Sequence, residues 1–339
     1  MILNSSATQK NKLILTFLIL LALWTVVVLI SISSGTFKLE LLSNFDSLSE
    51  IDKKVFFGIR LPRILLASIA GGTLAVCGAA LQAMFRNPLA SPFTLGVSGG
   101  ASLGALIAIK LGFAYSILGF SLISVFSFIF SILTILFVYS VSKVNGVVAT
   151  GRLLLAGVVM NFLFSAFILF IQFFSKFTES LHTLKWIMGS LDIIGFSLVW
   201  KTALLAVPAC LLLISMTKDM NIYSLGNDVA SSLGVNIKKM ELKIYFATSL
   251  AAAAVISVTG PIGFVGLFIP HILRMIIGVD NRVLLPCSFL LGASFLTITD
   301  TISRTIISPV EIPVGIITAF IGGIFFLWLL IRSKKEVLV

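Results

Sequence analysis

Charge is scarce in this sequence. Asp, Glu, Lys and Arg make up 11% of the 339 residues while 58% are hydrophobic, against about 25% charged and roughly 45–50% apolar residues in ordinary soluble domains. A soluble fold with so few polar groups could not keep its apolar surface from water, so lipid must cover much of the chain. Histidine is scarcer still: His182 and His271 are isolated, with no acid or cysteine at metal-ligand spacing. Cys77, Cys210 and Cys287 sit singly in apolar stretches, which argues against a metal site and for small packing residues. No nucleophile–base constellation is present, and no Gly-rich loop is followed by Lys-Ser or Lys-Thr. Neither a catalytic residue nor a cofactor or metal is therefore expected, and the chain is not expected to be an enzyme.

Other absences narrow the class further. A small-residue cleavage site of the A-x-A kind does not follow the first apolar run, Leu13 to Ile32, so this run is expected to stay as a membrane helix rather than leave as a signal peptide. No tandem repeat or low-complexity segment occurs. Every acid falls at the edge of an apolar run or in a loop, whereas an ion-driven secondary transporter would place ionisable groups within its spans. That class remains the alternative to the reading reached below.

What is present is long apolar runs. Charge-free runs begin at Leu13, Ile64, Asn87, Leu111, Leu153, Thr202, Ile244, Val283 and Ile312, each a candidate membrane helix. The run from Ile244 to Leu273 is too long for one crossing, and Thr259-Gly260-Pro261-Ile262-Gly263 should break it. The total is then about ten transmembrane helices in an all-α integral membrane protein. A weak inverted repeat, helices two to five against seven to ten, is compatible with a transporter of this size.

With an even number of crossings and a cytoplasmic N-terminus, inside segments hold 14 of the 24 basic residues and outside segments hold eight of the thirteen acids. The positive-inside rule thus favours both termini in the cytoplasm. The net charge of +11 belongs to topology and anionic headgroups rather than to nucleic acid. Ser33 to Gly58 reads as a wet outer loop, and residues 218–243 as the longest inner loop.

Three stretches stand out. Between Arg60 and Gly104, the small residues Gly71, Ala75, Gly78, Ala79, Gly99, Gly100 and Gly104 recur at helical spacing, which permits close helix packing. The inner loop carries Leu225, Gly226, Asn227, Asp228, Val229, Ala230, Leu233 and Gly234. There Asn227 or Asp228 can cap a short helix, the three large apolar residues share a face, and Gly234 suits a left-handed close. Such a helix either rests on the membrane or fits a partner's groove. Arg60, Arg63 and Arg304 stand near outer helix ends against the positive-inside trend. They either snorkel to headgroups or recruit an acidic soluble partner, and Asp300 pairs with Arg304 at the i, i+4 spacing.

Several of these segments together resemble the FecCD-type permease family of iron-siderophore, haem and vitamin B12 importers. They are Arg60-Leu61-Pro62-Arg63, Gln82 with Asn87-Pro88-Leu89-Ala90, Leu95 to Gly100, Trp186 to Ser190, Leu225 to Gly234, Gly260 to Leu267, Pro270-His271, Arg274 and Glu311 to Gly315. The resemblance implies a type II ABC importer permease fold, a single transmembrane domain over 1–339. It implies pairing with a second permease subunit, identical or related, two cytoplasmic ATPase subunits, and an extracytoplasmic substrate-binding protein, all at the cytoplasmic membrane of a prokaryote. By the same resemblance Leu225 to Gly234 seats the ATPase, while Arg60, Arg63 and Arg304 meet the binding protein. Asn161, Phe164, Phe268 and Thr318 are expected to line the pathway.

Overall fold

The computed structural model of the chain describes residues 2–34, 50–112, 116–117, 120–144, 147–148 and 150–336. Residues 35–49, most of the expected outer loop, lie outside the described residues together with Glu40 and Asp46. The helices are α1 (Ile2–Ser33), α2 (Glu50–Val55), α3 (Leu61–Phe85), α4 (Val97–Lys110), α5 (Leu122–Ser142), α6 (Thr150–Phe173) and α7 (Phe177–Ile187). They continue with α8 (Ser197–Ser215), α9 (Thr217–Tyr223), α10 (Asn227–Ser232), α11 (Ile237–Thr259), α12 (Val265–Ile277), α13 (Asn281–Thr305) and α14 (Val314–Glu336). Two-residue antiparallel ribbons pair Ser116–Ile117 with Phe120–Ser121 and Lys143–Val144 with Val147–Val148.

Among the described residues, eight helices are long and apolar enough to cross a bilayer, and the shorter apolar α4 and α12 bring the number to the ten expected. One expectation changes. The described part of the Ser33 to Gly58 segment is not a wet loop, because α2 runs through a π-helical turn, Phe56–Arg60, straight into α3. An i, i+3 pair, Lys53 with Glu50 at 3.5 Å, lets its charges ride on a helix.

The predicted break between α11 and α12 is real. Gly260 (φ +68°) and Phe264 (φ +67°) both take left-handed backbone, which stops helix propagation. Its freed groups find partners elsewhere, as backbone buried at membrane depth must: Ser190 N–H donates to Thr259 O at 2.7 Å and Thr259 Oγ1 to Gly260 O at 2.9 Å. α12, with 13 residues, rises only about 20 Å and covers part of the roughly 30 Å hydrocarbon core.

α3 is the axis of the bundle. Its apolar stretch is almost wholly buried while α1 and α6 expose most of theirs, and it packs on α8, α11, α12 and α13. The small residues make this possible: a Cβ at Gly71 would overlap the carbonyl of Gly292 in α13, and one at Gly78 the carbonyl of Gly266 in α12. Close backbone approach substitutes for the hydrophobic effect, which is weak between helices in lipid. Element lengths also recur. α3 to α6 have 25, 14, 21 and 24 residues, and α11 to α14 have 23, 13, 25 and 23.

Candidate functional site

With 25 residues, α3 separates its two ends by about 37 Å, and polar side chains gather at each. At the first end Arg63 Nε meets Asp300 Oδ1 of α13 at 2.9 Å, and Arg63 Nη1 meets Glu311 Oε2 at 2.7 Å. Arg304 completes the group: its Nε lies 3.3 Å from Asp300 Oδ2, and its Nη2 donates to Ser31 O and Ser31 Oγ of α1 at 3.0 and 2.8 Å. Arg60 Nη1 donates to Ile32 O, also in α1, at 2.9 Å. These bonds tie α1, α3, α13 and the approach to α14 into one cluster.

Two expectations are corrected here. The three arginines do not reach out from the helix ends; they are 4%, 4% and 7% exposed, because carboxylates and helix-end carbonyls draw them inward. Asp300 is not at a wet edge either. It is fully buried, since α13 continues to Thr305 and Arg63 closes over it from a helix far away in sequence. The predicted Asp300–Arg304 pair is present. Glu311 is the exposed carboxylate of the cluster, 45% open at its side chain.

At the other end lie α9 and α10. Gly226 (φ +118°) precedes α10 and Gly234 (φ +83°) follows it, so the left-handed close expected at Gly234 is present. The expected cap is not: no side chain caps α10, and the Asn227 amide oxygen instead accepts from Arg86 Nη2 at 2.7 Å. Leu225, Val229 and Leu233 are exposed by 66%, 43% and 61%, while Ala230 is buried against the bundle. An apolar face is thus presented away from the protein.

Around this helix, sequence reasoning marks Arg86 only as an arginine at a proline-rich inner helix boundary and does not single out Tyr223, Glu241, Asn221 or Asp280. Arg86 also donates to Tyr223 O at 2.6 Å and stacks on the Tyr223 ring at 4.0 Å. Tyr223 Oη donates to Glu241 Oε1 of α11 at 3.0 Å; burial, with the neighbouring carboxylate, pushes this phenol up to about 12. Asn221 donates to Asp280 Oδ1 at 2.6 Å and accepts from the Asn281 side chain at 2.8 Å. One sequence signal was available: an arginine at a proline-rich helix boundary needs acceptors, but spacing alone does not say which.

The four expected pathway residues scatter. Phe164 packs with Leu103, Leu106 and Ile168, Phe268 against Phe295 and Phe325, and Thr318 donates to Gly315 O at 3.1 Å. All three are buried in the chain's own packing, so their side chains do not face an open channel. Half-buried Asn161 donates to Phe93 O at 2.8 Å. That bond holds the short 3-10 turn Pro92–Leu95 against α6.

The sequence matches the FecCD transport family over residues 19–332. The chain belongs to the FecCD transport family. An ABC transporter permease of Bacillus subtilis is 39% identical over 83% of this chain and 80% of its own length. The hemin transport permease of Yersinia pestis is 37% identical (83% and 84%), and the vitamin B12 import permease of Vibrio parahaemolyticus 33% identical (98% and 97%). Among solved structures, an inward-facing protein assigned to the metal-chelate type of ABC transporter superposes with a TM-score of 0.83 and 30% identity, covering 93% of this chain and 98% of that one. As a FecCD member the chain is a multi-pass ABC permease, and the ion-driven alternative is not favoured.

Proposed function

We propose that this FecCD permease carries a chelated metal, an iron-siderophore complex, haem or a corrinoid, from a substrate-binding protein at the Arg63 end to the cytoplasm at the α10 end. Both termini are then cytoplasmic, and a second permease subunit completes the pathway. The observation that carries the reading is the segment 225–234 around α10, in which Ala230 is the buried residue of the helix while Val229 on it and Leu225 and Leu233 at its two ends are exposed. An exposed apolar face on a polar segment calls for a partner, and an ATPase groove that seats this helix can drive it at each cycle. Relatives named for hemin and vitamin B12 support a bulky chelate; a relative of Haemophilus influenzae, 35% identical, is named for import of molybdate, a small oxyanion.

Arg60, Arg63 and Arg304 then serve docking in an indirect way, with the binding protein's carboxylate displacing exposed Glu311 from Arg63. Asn161 supports the pathway wall by anchoring the 92–95 turn. Exposed Phe162 and Phe320 take the lining role in place of their buried neighbours Phe164 and Thr318, with Phe268 supporting α12 from behind.

Proteoliposomes containing the permease, its ATPase and its binding protein test the reading. ATP-dependent uptake of ferric siderophore, haem or cobalamin should fall at least tenfold when Val229 and Leu233 are both changed to Asp, because two charges enter an apolar contact. Uptake that proceeds without ATPase subunits would instead establish secondary transport.

A further inference from the structure

Among the described residues, Arg86 is the charged side chain through which the end of α3 meets the α9–α10 segment. It ends α3 in left-handed backbone, φ 49° and ψ 36°, with its own N–H returned to Gln82 O, a conformation that residues with a Cβ adopt only when neighbours hold it. Nη2 then reaches two helix ends together: the carbonyl of Tyr223, last residue of α9, and the amide oxygen of Asn227, first residue of α10. The Tyr223 ring covers the guanidinium. Elsewhere α9 is fixed to α11 through Tyr223 and Glu241, and to α13 through Asn221 and the Asp280–Asn281 turn. α10, beyond the left-handed Gly226, is joined to the bundle by buried Ala230 and by this arginine.

We propose that Arg86 is the positioning residue that transmits displacement of α10 to α3, and through α3 to α12 at the Gly78–Gly266 contact. The proposal rests on the reading of α10 as the ATPase-coupling helix. Chemistry favours arginine here. A planar guanidinium that hydrogen-bonds through one nitrogen to two acceptors while stacking on a ring holds direction as well as distance, and a lysine ammonium provides only a point charge. α3 in turn has no lipid-facing slack, and an added atom at Gly78 would meet the Gly266 carbonyl, so α12 must follow when α3 shifts.

The test uses the full complex, permease with ATPase and binding protein, reconstituted with ferric siderophore, haem or cobalamin, whichever it transports. A Ser231→Cys substitution on exposed α10 reports ATPase contact by crosslinking, and the cargo delivered per ATP hydrolysed reports coupling. In Arg86→Ala the crosslink should persist while cargo per ATP falls about ten- to hundredfold, the size expected for losing a charge-assisted bond; Arg86→Lys should recover part of it. An unchanged ratio with the crosslink intact overturns the role of Arg86. A missing crosslink with Arg86 in place overturns the coupling reading itself. Should Arg86→Ala not assemble, Asn227→Ala removes the α10 acceptor alone and should lower the ratio about threefold; no reduction there overturns the proposal.

Discussion

Asp300 sits between two arginines from different helices, and its neighbours make it far more than a surface acid. Asp300→Ala strands the Arg63 and Arg304 guanidiniums in a buried site, which should cost about 3–5 kcal/mol, read as a lowered midpoint of thermal unfolding in nanodiscs. Asp300→Asn should cost less, because an amide oxygen still accepts from Arg63 Nε. Glu311 behaves in the opposite way. It is the exposed acid on Arg63, so Glu311→Gln frees a donor for an incoming carboxylate and should tighten binding-protein docking severalfold at low salt, with the gain fading as ions screen it; titration of the binding protein by surface plasmon resonance measures this. The Asp300–Arg304 half of the cluster was legible in the sequence, because helical spacing puts i and i+4 side by side. The Arg63 half was not. No local rule links residues 237 positions apart, so the arginines read as outward-pointing until the acid beneath them was located.

At the scale of elements, what proline and glycine dictate was readable and what depends on continuity was not. Gly260-Pro261 broke α11 from α12 as expected, since left-handed backbone and a missing donor stop a helix wherever they fall. Glu50 to Gly58 read as loop because its charges argue against lipid, yet the segment extends α3 into a continuous 36-residue helix. The small-residue stripe promised close packing without naming its partner, and the partner proves to be another glycine at Gly78–Gly266. Gly78→Val places a branched side chain against a backbone carbonyl that cannot move aside. The expected cost is about 1–3 kcal/mol or more, seen as loss of monodisperse protein on size-exclusion chromatography, with Gly58→Val, where a Cβ meets nothing, as the tolerated control.

For the whole molecule, charge distribution alone suggested which end faces the cytoplasm, and the structure supplies a clean way to measure it. Cys77, Cys210 and Cys287 are all buried, so the native chain should react slowly with a membrane-impermeant maleimide. Lys238→Cys should label only when the cytoplasmic side is opened, and Glu179→Cys should label in intact cells. The reverse pattern would invert the topology. The count of ten spans was legible because apolar length translates directly into crossings. That one of them, α3, would be sheathed by protein was not, since a run surrounded by helices is as apolar as one surrounded by lipid.

That sheathing has a consequence for how the chain is made. Arg63 leaves the ribosome 237 residues ahead of Asp300, and at about 5–20 residues per second it waits roughly ten to fifty seconds for its counter-ion. For more than half of that interval neither α8 nor α11 has been started, and α13 stays incomplete to its end, so α3 must lie in the bilayer with its glycine stripe bare and its arginines held at the headgroups. The helix that ends as the most enclosed part of the permease therefore begins as one of the most exposed, and nascent-chain quality control would meet it in that state.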